Sequence, residues 1–525
     1  MRITGLAGGL LAAALACEPD REVRSPATEG GVDVVELDAM EAQRRMTSGT
    51  LTARALTRAY LARIAAIDDA GPRLAAVIEV NTEAEAEAEA LDRERAAGRV
   101  RGPLHGIPVL IKDNIAAVGM ANSVGSLALA QHRPRADAFL VARLREAGAV
   151  ILGKTNLSEW ANFRGDRSTS GWSSRGGQTR NPYVLDRTPC GSSSGTGAGV
   201  AASLATVGVG TETDGSILCP AAMNGLVGLK PTVGLISRTG IVPISVTQDT
   251  AGPMTRTVME AALLLTAMSG VDKTDPRMEA ARPPVNYAAG LRRDALKGRR
   301  IGVLRAELGK SAAVDAAFEQ AIAVLRAGGA EVVDPVEIVT AEQWFEAEIE
   351  LMLYEFKDGI DRYLRESGTP VTSLAGMIAW NKEHAPEVLR WFGQEIFERA
   401  QTKGGLDSPG YVKARDTARR LAWDEGLGAT LAKHRLDAVV APTMGGPAWP
   451  IDPVLGDRFV GAGYGAAAVA GTPSLTVPMG DEHGLPLGLA LMGAPHSEAT
   501  LLAIGYAYEQ AARARKPPRY VPTLE

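Results

Sequence analysis

Cysteine and histidine are scarce in this chain, which has 3 cysteines and 6 histidines among its 525 residues. Neither a Cys-x-x-Cys nor a His-Glu-x-x-His pattern occurs. These patterns place two ligands on one turn or one helix face, so their absence leaves no recognisable metal-ligand array. We therefore expect the protein to use neither a metal nor another cofactor.

An excess of one charge is also lacking. The chain carries 56 basic and 61 acidic residues, for a formal net charge of −5. This balance gives no support to nucleic-acid binding, which calls for a strongly basic surface. The hydrophobic fraction of 46% and the charged fraction of 22% are those of a soluble globular protein. The length allows one large core or two to three ordinary domains.

The N-terminus has no apolar stretch long enough to span a bilayer, because its apolar run covers only residues 5–16. That run follows Met1-Arg2 and ends in Ala14-Leu15-Ala16-Cys17, which satisfies the small-x-small rule for signal-peptide cleavage. We expect a signal peptide over residues 1–17 and export to the periplasm or the membrane. An apolar arm packed on the protein is the alternative.

The residues before Cys17 resemble a bacterial lipobox, in which that cysteine would carry the lipid anchor. The departure is Ala14, where a lipobox usually has leucine, so the sequence leaves lipidation open. Residues 18–34 are polar and contain Pro and Gly, which predicts a flexible tether.

The rest of the chain, residues 35–525, shows the alternation of helices and strands that is typical of an α/β fold. A helical pattern covers 35–70, and the Ala/Glu run 82–89 is predicted as a solvated helix, since both residues favour helices over strands. Residues 341–430 are mainly helical and interrupt the alternation. The predicted strands are 106–112, 149–152, 300–304, 331–333, 436–442, 474–477 and 487–492. A helix near 497–514 ends the chain.

Many of the 58 glycines lie in a Gly/Ser/Thr-rich region between Gly165 and Gly240. Apolar helical segments such as 198–204 alternate there with glycine turns. Because glycine lets backbones approach closely, we expect this region to pack as buried backbone instead of a flexible linker.

Three segments carry candidate chemistry: Lys112 at the end of its strand, the run 190–195, and the run 210–217. Amide hydrolysis needs a nucleophile, a base to take its proton, and donors for the oxyanion that develops. A serine after Asp-Gly, as Ser216 is, can sit among convergent backbone N–H groups. A lysine can act as the base only when neutral, and burial favours that form.

These segments resemble the amidase signature family, in which a Gly/Ser-rich stretch carries two catalytic serines 24 positions apart. Ser192 and Ser216 have this spacing. The sequence also resembles the family at 153–160, 171–182, 220–232 and 470–478. Within the family, these segments are most similar to those of the peptide amidases. The resemblance implies a mixed central β-sheet with helices on both faces.

The resemblance also assigns roles by position. Ser216 would be the nucleophile, and Ser192, expected after a cis peptide bond, would relay its proton to Lys112. The backbone N–H groups of Thr213, Asp214, Gly215 and Ser216 would form the oxyanion hole.

Two positions differ from the sequence of many family members, which have Gly-Gly-Ser-Ile-Arg at the nucleophile. The usual arginine is Leu218 here, and the aspartate that usually pairs with it is Glu212. The three side chains with expected catalytic roles, Lys112, Ser192 and Ser216, are all present, so we do not interpret these changes as inactivation. The run Gly191–Gly195 also matches the nucleophile elbow of α/β-hydrolases, but no apolar strand precedes it.

The expected activity is release of ammonia from a primary carboxamide, such as a C-terminal peptide amide, through an acyl-enzyme. The alternatives are the glutaminase component of a tRNA-dependent amidotransferase and a non-catalytic family member. Cys190 and Cys219 flank the two serines and could pair or remain free thiols. The sequence leaves the acyl-side specificity and the oligomeric state open.

Overall fold

The computed structural model describes residues 31–275, 277–278 and 285–524. The predicted signal peptide, Cys17 and most of the predicted tether therefore lie outside the described residues. Within those residues, no helix is long and apolar enough to cross a membrane.

The strands are β1 Val77–Val80, β2 Pro108–Lys112, β3 Val150–Thr155, β4 Trp172–Ser173, β5 Gly177–Gln178, β6 Val207–Glu212, β7 Val227–Lys230, β8 Thr250–Thr255, β9 Arg300–Leu304, β10 Glu331–Val336, β11 Ala438–Pro442, β12 Ser474–Glu482 and β13 Leu485–Met492. The α-helices are α1 Ala39–Thr47, α2 Ala53–Arg63, α3 Ala84–Ala96, α4 Phe139–Glu146, α5 Ser194–Ala201, α6 Leu218–Met223, α7 Val258–Met268, α8 Ala312–Ala327, α9 Phe345–Glu366, α10 Leu374–Glu383, α11 Ala385–Val388, α12 Glu395–Gln401, α13 Pro409–Arg419, α14 Gly428–His434, α15 Gly465–Ala470 and α16 Glu498–Ala512.

Eleven strands form one central sheet in the order β1-β3-β2-β6-β8-β7-β12-β13-β11-β9-β10. The sheet is mixed: β3, β2 and β6 run parallel, as do β11, β9 and β10, whereas the pairs from β6 to β11 through the centre are antiparallel. Helices flank this sheet, and the predicted α/β fold with a mixed central sheet is confirmed.

Strongly patterned segments fold as the sequence predicts. The Ala/Glu run lies in α3, whose buried positions Ala84, Ala88 and Leu91 follow the spacing of one helix face. The strand predicted to end at Lys112 is β2, and all five of its residues are buried. The helical interruption after residue 341 contains α9 to α14, placed between β10 and β11.

The Gly/Ser/Thr-rich region is largely buried, as predicted, but it also contains the sheet strands β6 and β7, which were not predicted. Sequence patterning missed β6 because Gly208 and Gly210 occupy strand positions. A Cβ at Gly208 would lie 2.7 Å from Thr196 Cγ2 and 2.8 Å from Val200 Cγ2. Both contacts belong to α5, so the glycine lets this helix pack directly on the strand.

Candidate active site

The candidate site lies where β2 and β6 end. These strands are parallel neighbours, so their carboxyl ends meet at one edge of the sheet. Lys112 is the last residue of β2, and Glu212 is the last residue of β6. A turn, 213–217, follows β6 and leads into α6, while the segment 190–193 leads into α5 beside it.

Lys112 is fully buried, with 0% of the residue exposed. Its Nζ lies 2.7 Å from Ser192 Oγ, 2.9 Å from Thr211 Oγ1 and 3.1 Å from the Thr211 carbonyl oxygen. Asn114 Nδ2 donates to the same Thr211 hydroxyl at 2.9 Å. Thr211 and Asn114 therefore hold the amine in place, although sequence reasoning had not singled them out.

Burial lowers the pKa of Lys112 to about 7, while the negative charges of Glu212 and Asp249 oppose the shift. The geometry suits the neutral amine, which has two hydrogens and one lone pair. The amine can donate its two hydrogens in hydrogen bonds to the carbonyl oxygen and the hydroxyl oxygen of Thr211. The lone pair is then free to accept the hydroxyl proton of Ser192.

Ser192 and Ser216 belong to adjoining backbone segments. The Ser193 N–H donates to the Ser216 carbonyl at 3.2 Å, and the peptide bond between Gly191 and Ser192 is cis. Ser192 is buried, whereas Ser216 is partly accessible to solvent. No hydrogen bond joins the two serine hydroxyls in the described structure. The Ser192 hydroxyl instead makes its hydrogen bond with Lys112 Nζ.

The turn before Ser216 presents backbone donors. The N–H groups of Thr213, Asp214 and Ser216 meet no hydrogen-bond acceptor among the described residues. Gly215 has a φ of +72°, a left-handed conformation that favours glycine. This turn can therefore direct several N–H groups towards one ligand oxygen, as an oxyanion hole requires.

Glu212 holds the turn through hydrogen bonds to its backbone. Its Oε2 accepts the N–H groups of Ile217 at 2.7 Å and Leu218 at 3.0 Å, at the start of α6. Burial raises the pKa of this carboxyl, whereas the Lys230 charge and N–H groups including that of Gly215 oppose the rise. Because Oε2 accepts these two backbone N–H groups, the turn is held without an arginine at position 218.

A disulfide joins Cys190 and Cys219 and answers the question that the sequence left open. Cys190 lies two residues before Ser192, and Cys219 lies three residues after Ser216. The bond therefore ties together the two segments that carry the serines. In the part of the chain that the structure describes, no cluster of three or more His, Cys, Asp or Glu is placed to hold a metal ion.

A buried amine that is hydrogen-bonded to a serine hydroxyl, next to a turn with free N–H groups, is an arrangement suited to a hydrolase. The family model described as Amidase matches residues 55–502. The chain belongs to the amidase family, and it is an amidase, an enzyme that hydrolyses amide C–N bonds.

Relatives of known structure are similar over almost the whole chain. A native peptide amidase from Stenotrophomonas maltophilia is 57% identical, with a TM-score of 0.89, over 92% of this chain and 98% of that one. The peptide amidase PAM, in complex with the competitive inhibitor chymostatin, is also 57% identical, with a TM-score of 0.90 over 92% and 99% of the two chains.

Two curated relatives differ in their described activity. A probable amidase of Arabidopsis thaliana is 40% identical over 90% of this chain and 89% of its own length. The A component of the glutamyl-tRNA(Gln) amidotransferase from a Roseiflexus species is 37% identical over 90% and 96%. The family therefore includes both amidases and components of a larger enzyme.

Proposed function

We propose that Ser216, Ser192 and Lys112 form the catalytic triad of this amidase. The observation that carries the proposal is the 2.7 Å hydrogen bond between Nζ of fully buried Lys112 and Ser192 Oγ, with a lysine pKa of about 7. An amine of this pKa is largely neutral at mildly alkaline pH and can act as a base. Ser216 is the accessible hydroxyl of the set, which suits the nucleophile.

In this proposal Ser216 Oγ attacks the amide carbon while its proton passes to Ser192, whose own proton passes to Lys112 Nζ. The turn N–H groups that have no protein acceptor, from Thr213, Asp214 and Ser216, stabilise the oxyanion, whereas the Gly215 N–H interacts with Glu212. The same relay returns a proton to the leaving nitrogen, and ammonia departs from a primary amide. Water then hydrolyses the Ser216 ester with the relay acting as base again.

The substrate that we propose is a primary carboxamide, such as the C-terminal amide of a peptide. The 57% identity to peptide amidases over nearly the whole chain supports this choice. The rival function is that of the glutaminase component in a tRNA-dependent amidotransferase, which the 37% identical relative represents. A self-contained amidase needs no partner, so the two functions predict different behaviour of the purified chain.

The test is ammonia release from an amidated dipeptide, with glutamine as a second substrate and no other protein present. We expect release from the dipeptide amide, at least ~10³-fold loss in Ser216→Ala, and unchanged rates in Ser48→Ala, which alters an exposed serine. A serine-directed phosphonylating reagent should label Ser216. An adduct on Ser192 or Ser193 would contradict the assignment, and activity on glutamine alone would favour the glutaminase.

A further inference from the structure

Thr213 is held on two sides by neighbouring residues of one segment. Its hydroxyl donates to the Asp249 carboxylate at 2.6 Å, and its carbonyl oxygen accepts Gln248 Nε2 at 3.4 Å. The Thr213 N–H, in contrast, meets no acceptor among the described residues. The hydroxyl and the carbonyl of Thr213 are therefore used for anchoring, and its N–H is left to face a ligand.

Strand register explains why Asp249 meets Thr213. Strands β6 and β8 are antiparallel neighbours, and Glu212 at the end of β6 lies opposite Thr250 at the start of β8. Thr213 follows the first of these paired residues and Asp249 precedes the second, so both lie just beyond the same edge of the sheet. An acidic side chain directly before β8 thus reaches the turn that carries Ser216.

The Asp249 carboxylate is itself fixed by backbone. Its Oδ2 accepts the N–H groups of Ile244 at 2.8 Å and Ser245 at 2.9 Å, while Oδ1 accepts the Thr213 hydroxyl. Desolvation raises the pKa of Asp249 to about 6, and these three donors oppose the rise. The group is therefore ionised at pH 9, and because both of its oxygens are used, it cannot turn without breaking a hydrogen bond.

Helix α9 anchors the same segment, residues 244–249. Ser245 Oγ donates to Glu355 Oε2 at 2.5 Å, and Gln248 Nε2 donates to Glu348 Oε1 at 2.8 Å. Glu348 and Glu355 both belong to α9, and each is only 2% exposed. The segment is therefore held by α9 through these two carboxyl groups, and it holds Thr213 in turn.

We propose that Asp249 is a positioning residue for amide hydrolysis, which acts through the Thr213 hydroxyl to aim the N–H groups of the turn at the developing oxyanion. The proposal rests on the proposed function, because it takes the oxyanion to form at this turn. Oxyanion donors accelerate a reaction when they already point to the place where charge develops. A turn that has lost its anchor must instead reorganise during each reaction, which raises the barrier.

The test compares kcat and KM for an amidated dipeptide at pH 9. Thr213→Val removes the hydroxyl and keeps the branched shape, Thr213→Ser keeps the hydroxyl, and Asp249→Asn leaves one acceptor oxygen for three donors. Thr239→Val is the matched control, because the Thr239 hydroxyl also donates to a carboxylate, that of Asp272, at 2.6 Å. Guanidinium unfolding measures the stability of every variant.

We expect kcat of Thr213→Val to fall about 10- to 100-fold while KM changes less than about twofold, because misdirected oxyanion donors weaken the transition state more than the bound substrate. Thr213→Ser should keep nearly the wild-type kcat, and Thr239→Val should leave kcat unchanged. Asp249→Asn should also lower kcat. Combined with Thr213→Val it should add little, since both changes break the same hydrogen bond.

A folded Thr213→Val that is less stable but has the wild-type kcat would show a merely structural bond and overturn the proposal. Fully additive losses in the double variant would also overturn it, because Asp249 would then act by another route. These outcomes are separate from the proposed function, which an active wild type and an inactive Ser216→Ala would support in either case. A wild-type chain that releases no ammonia would contradict the proposed function and this inference together.

Discussion

Lys112 illustrates how one buried side chain can set the working conditions of an enzyme. An exposed lysine has a pKa of about 10.4 and is almost fully charged at neutral pH. Buried at the end of β2, Lys112 loses the hydration that stabilises its ammonium form, and its pKa falls to about 7. Thr211 supplies acceptors without adding negative charge, so it positions the amine without undoing the shift.

The pH dependence of kcat/KM should report this lowered pKa. In the proposed mechanism the neutral amine is the active form, so kcat/KM should rise as the pH increases through about 7 and then level off. The midpoint belongs to the coupled Lys112–Ser192–Ser216 unit. The measurement is a pH–rate profile on one primary amide, and a midpoint near pH 10 would indicate an exposed, ordinary lysine.

Lys112→Ala should lower activity by roughly 10³-fold or more near neutral pH, because Lys112 contacts Ser192 and is the base that we propose. The loss should shrink at high pH, where hydroxide partly replaces the missing base. Circular dichroism would establish that the variant is folded. Wild-type rates in a folded Lys112→Ala at neutral pH would show that Lys112 is not the base.

At the scale of the elements, the site depends on two segments held against each other. The segment before α5 carries Ser192, and the turn before α6 carries Ser216. Their backbones share the hydrogen bond from Ser193 N to the Ser216 carbonyl, and the Cys190–Cys219 disulfide fastens their ends. A small shift between the segments would displace one serine from the other.

Removing the disulfide should therefore reduce both stability and turnover. The sequence separation of 29 residues corresponds to about 3–4 kcal/mol of stabilisation in the chain-entropy model. We expect the Cys190→Ala/Cys219→Ala variant to unfold at lower guanidinium concentration and to lose more kcat than KM. Reductant should reproduce these effects in the wild type and leave the double variant unchanged. Equal stability of the two proteins would contradict the prediction.

At the scale of the whole molecule, the helical region from α9 to α14 is joined to the sheet through Arg164. This side chain is fully buried, pairs with buried Glu159, and donates to the carbonyls of Phe392 and Gly393. Its guanidinium also lies 4.2 Å from the Phe392 ring centroid. The contacts cross from the segment after β3 to the segment before α12.

Arg164→Met should destabilise the protein by about 3–5 kcal/mol, because the Glu159 carboxylate is left buried without its cationic partner. Arg399→Met is the matched control: Arg399 pairs with Asp166 nearby, but both side chains are nearly half exposed, so its loss should cost less than about 1 kcal/mol. Denaturant unfolding measures both. Equal effects of the two substitutions would show that Arg164 does not anchor the helical region.

We also propose that the protein is exported, since disulfides persist mainly in oxidising compartments and Cys190–Cys219 is one. The expected mature chain from the native cells begins at Cys17 and, if lipidated, partitions with membranes. Cell fractionation followed by mass spectrometry of the N-terminal peptide tests this. Recovery of the protein from the cytosol with Met1 still attached would contradict the proposal.

Local patterns in the chain predicted the strand that ends at Lys112, the helix over the Ala/Glu run and the α/β class. These features depend on residues near one another in sequence, whose periodicity reflects one buried face. The 24-residue spacing of Ser192 and Ser216 identified the family for the same reason, since it is a property of the linear chain.

Other features arise only when distant segments meet. Strand β6 is held by its neighbours and by α5, and its glycines conceal it from any search for periodicity. Asn114 and Thr211 reach the site from two separate parts of the chain. Their roles, like the pairing of Cys190 with Cys219, depend on distances between atoms that are far apart in sequence. Tertiary packing decides such distances, because burial and hydrogen bonding act through space and not along the chain.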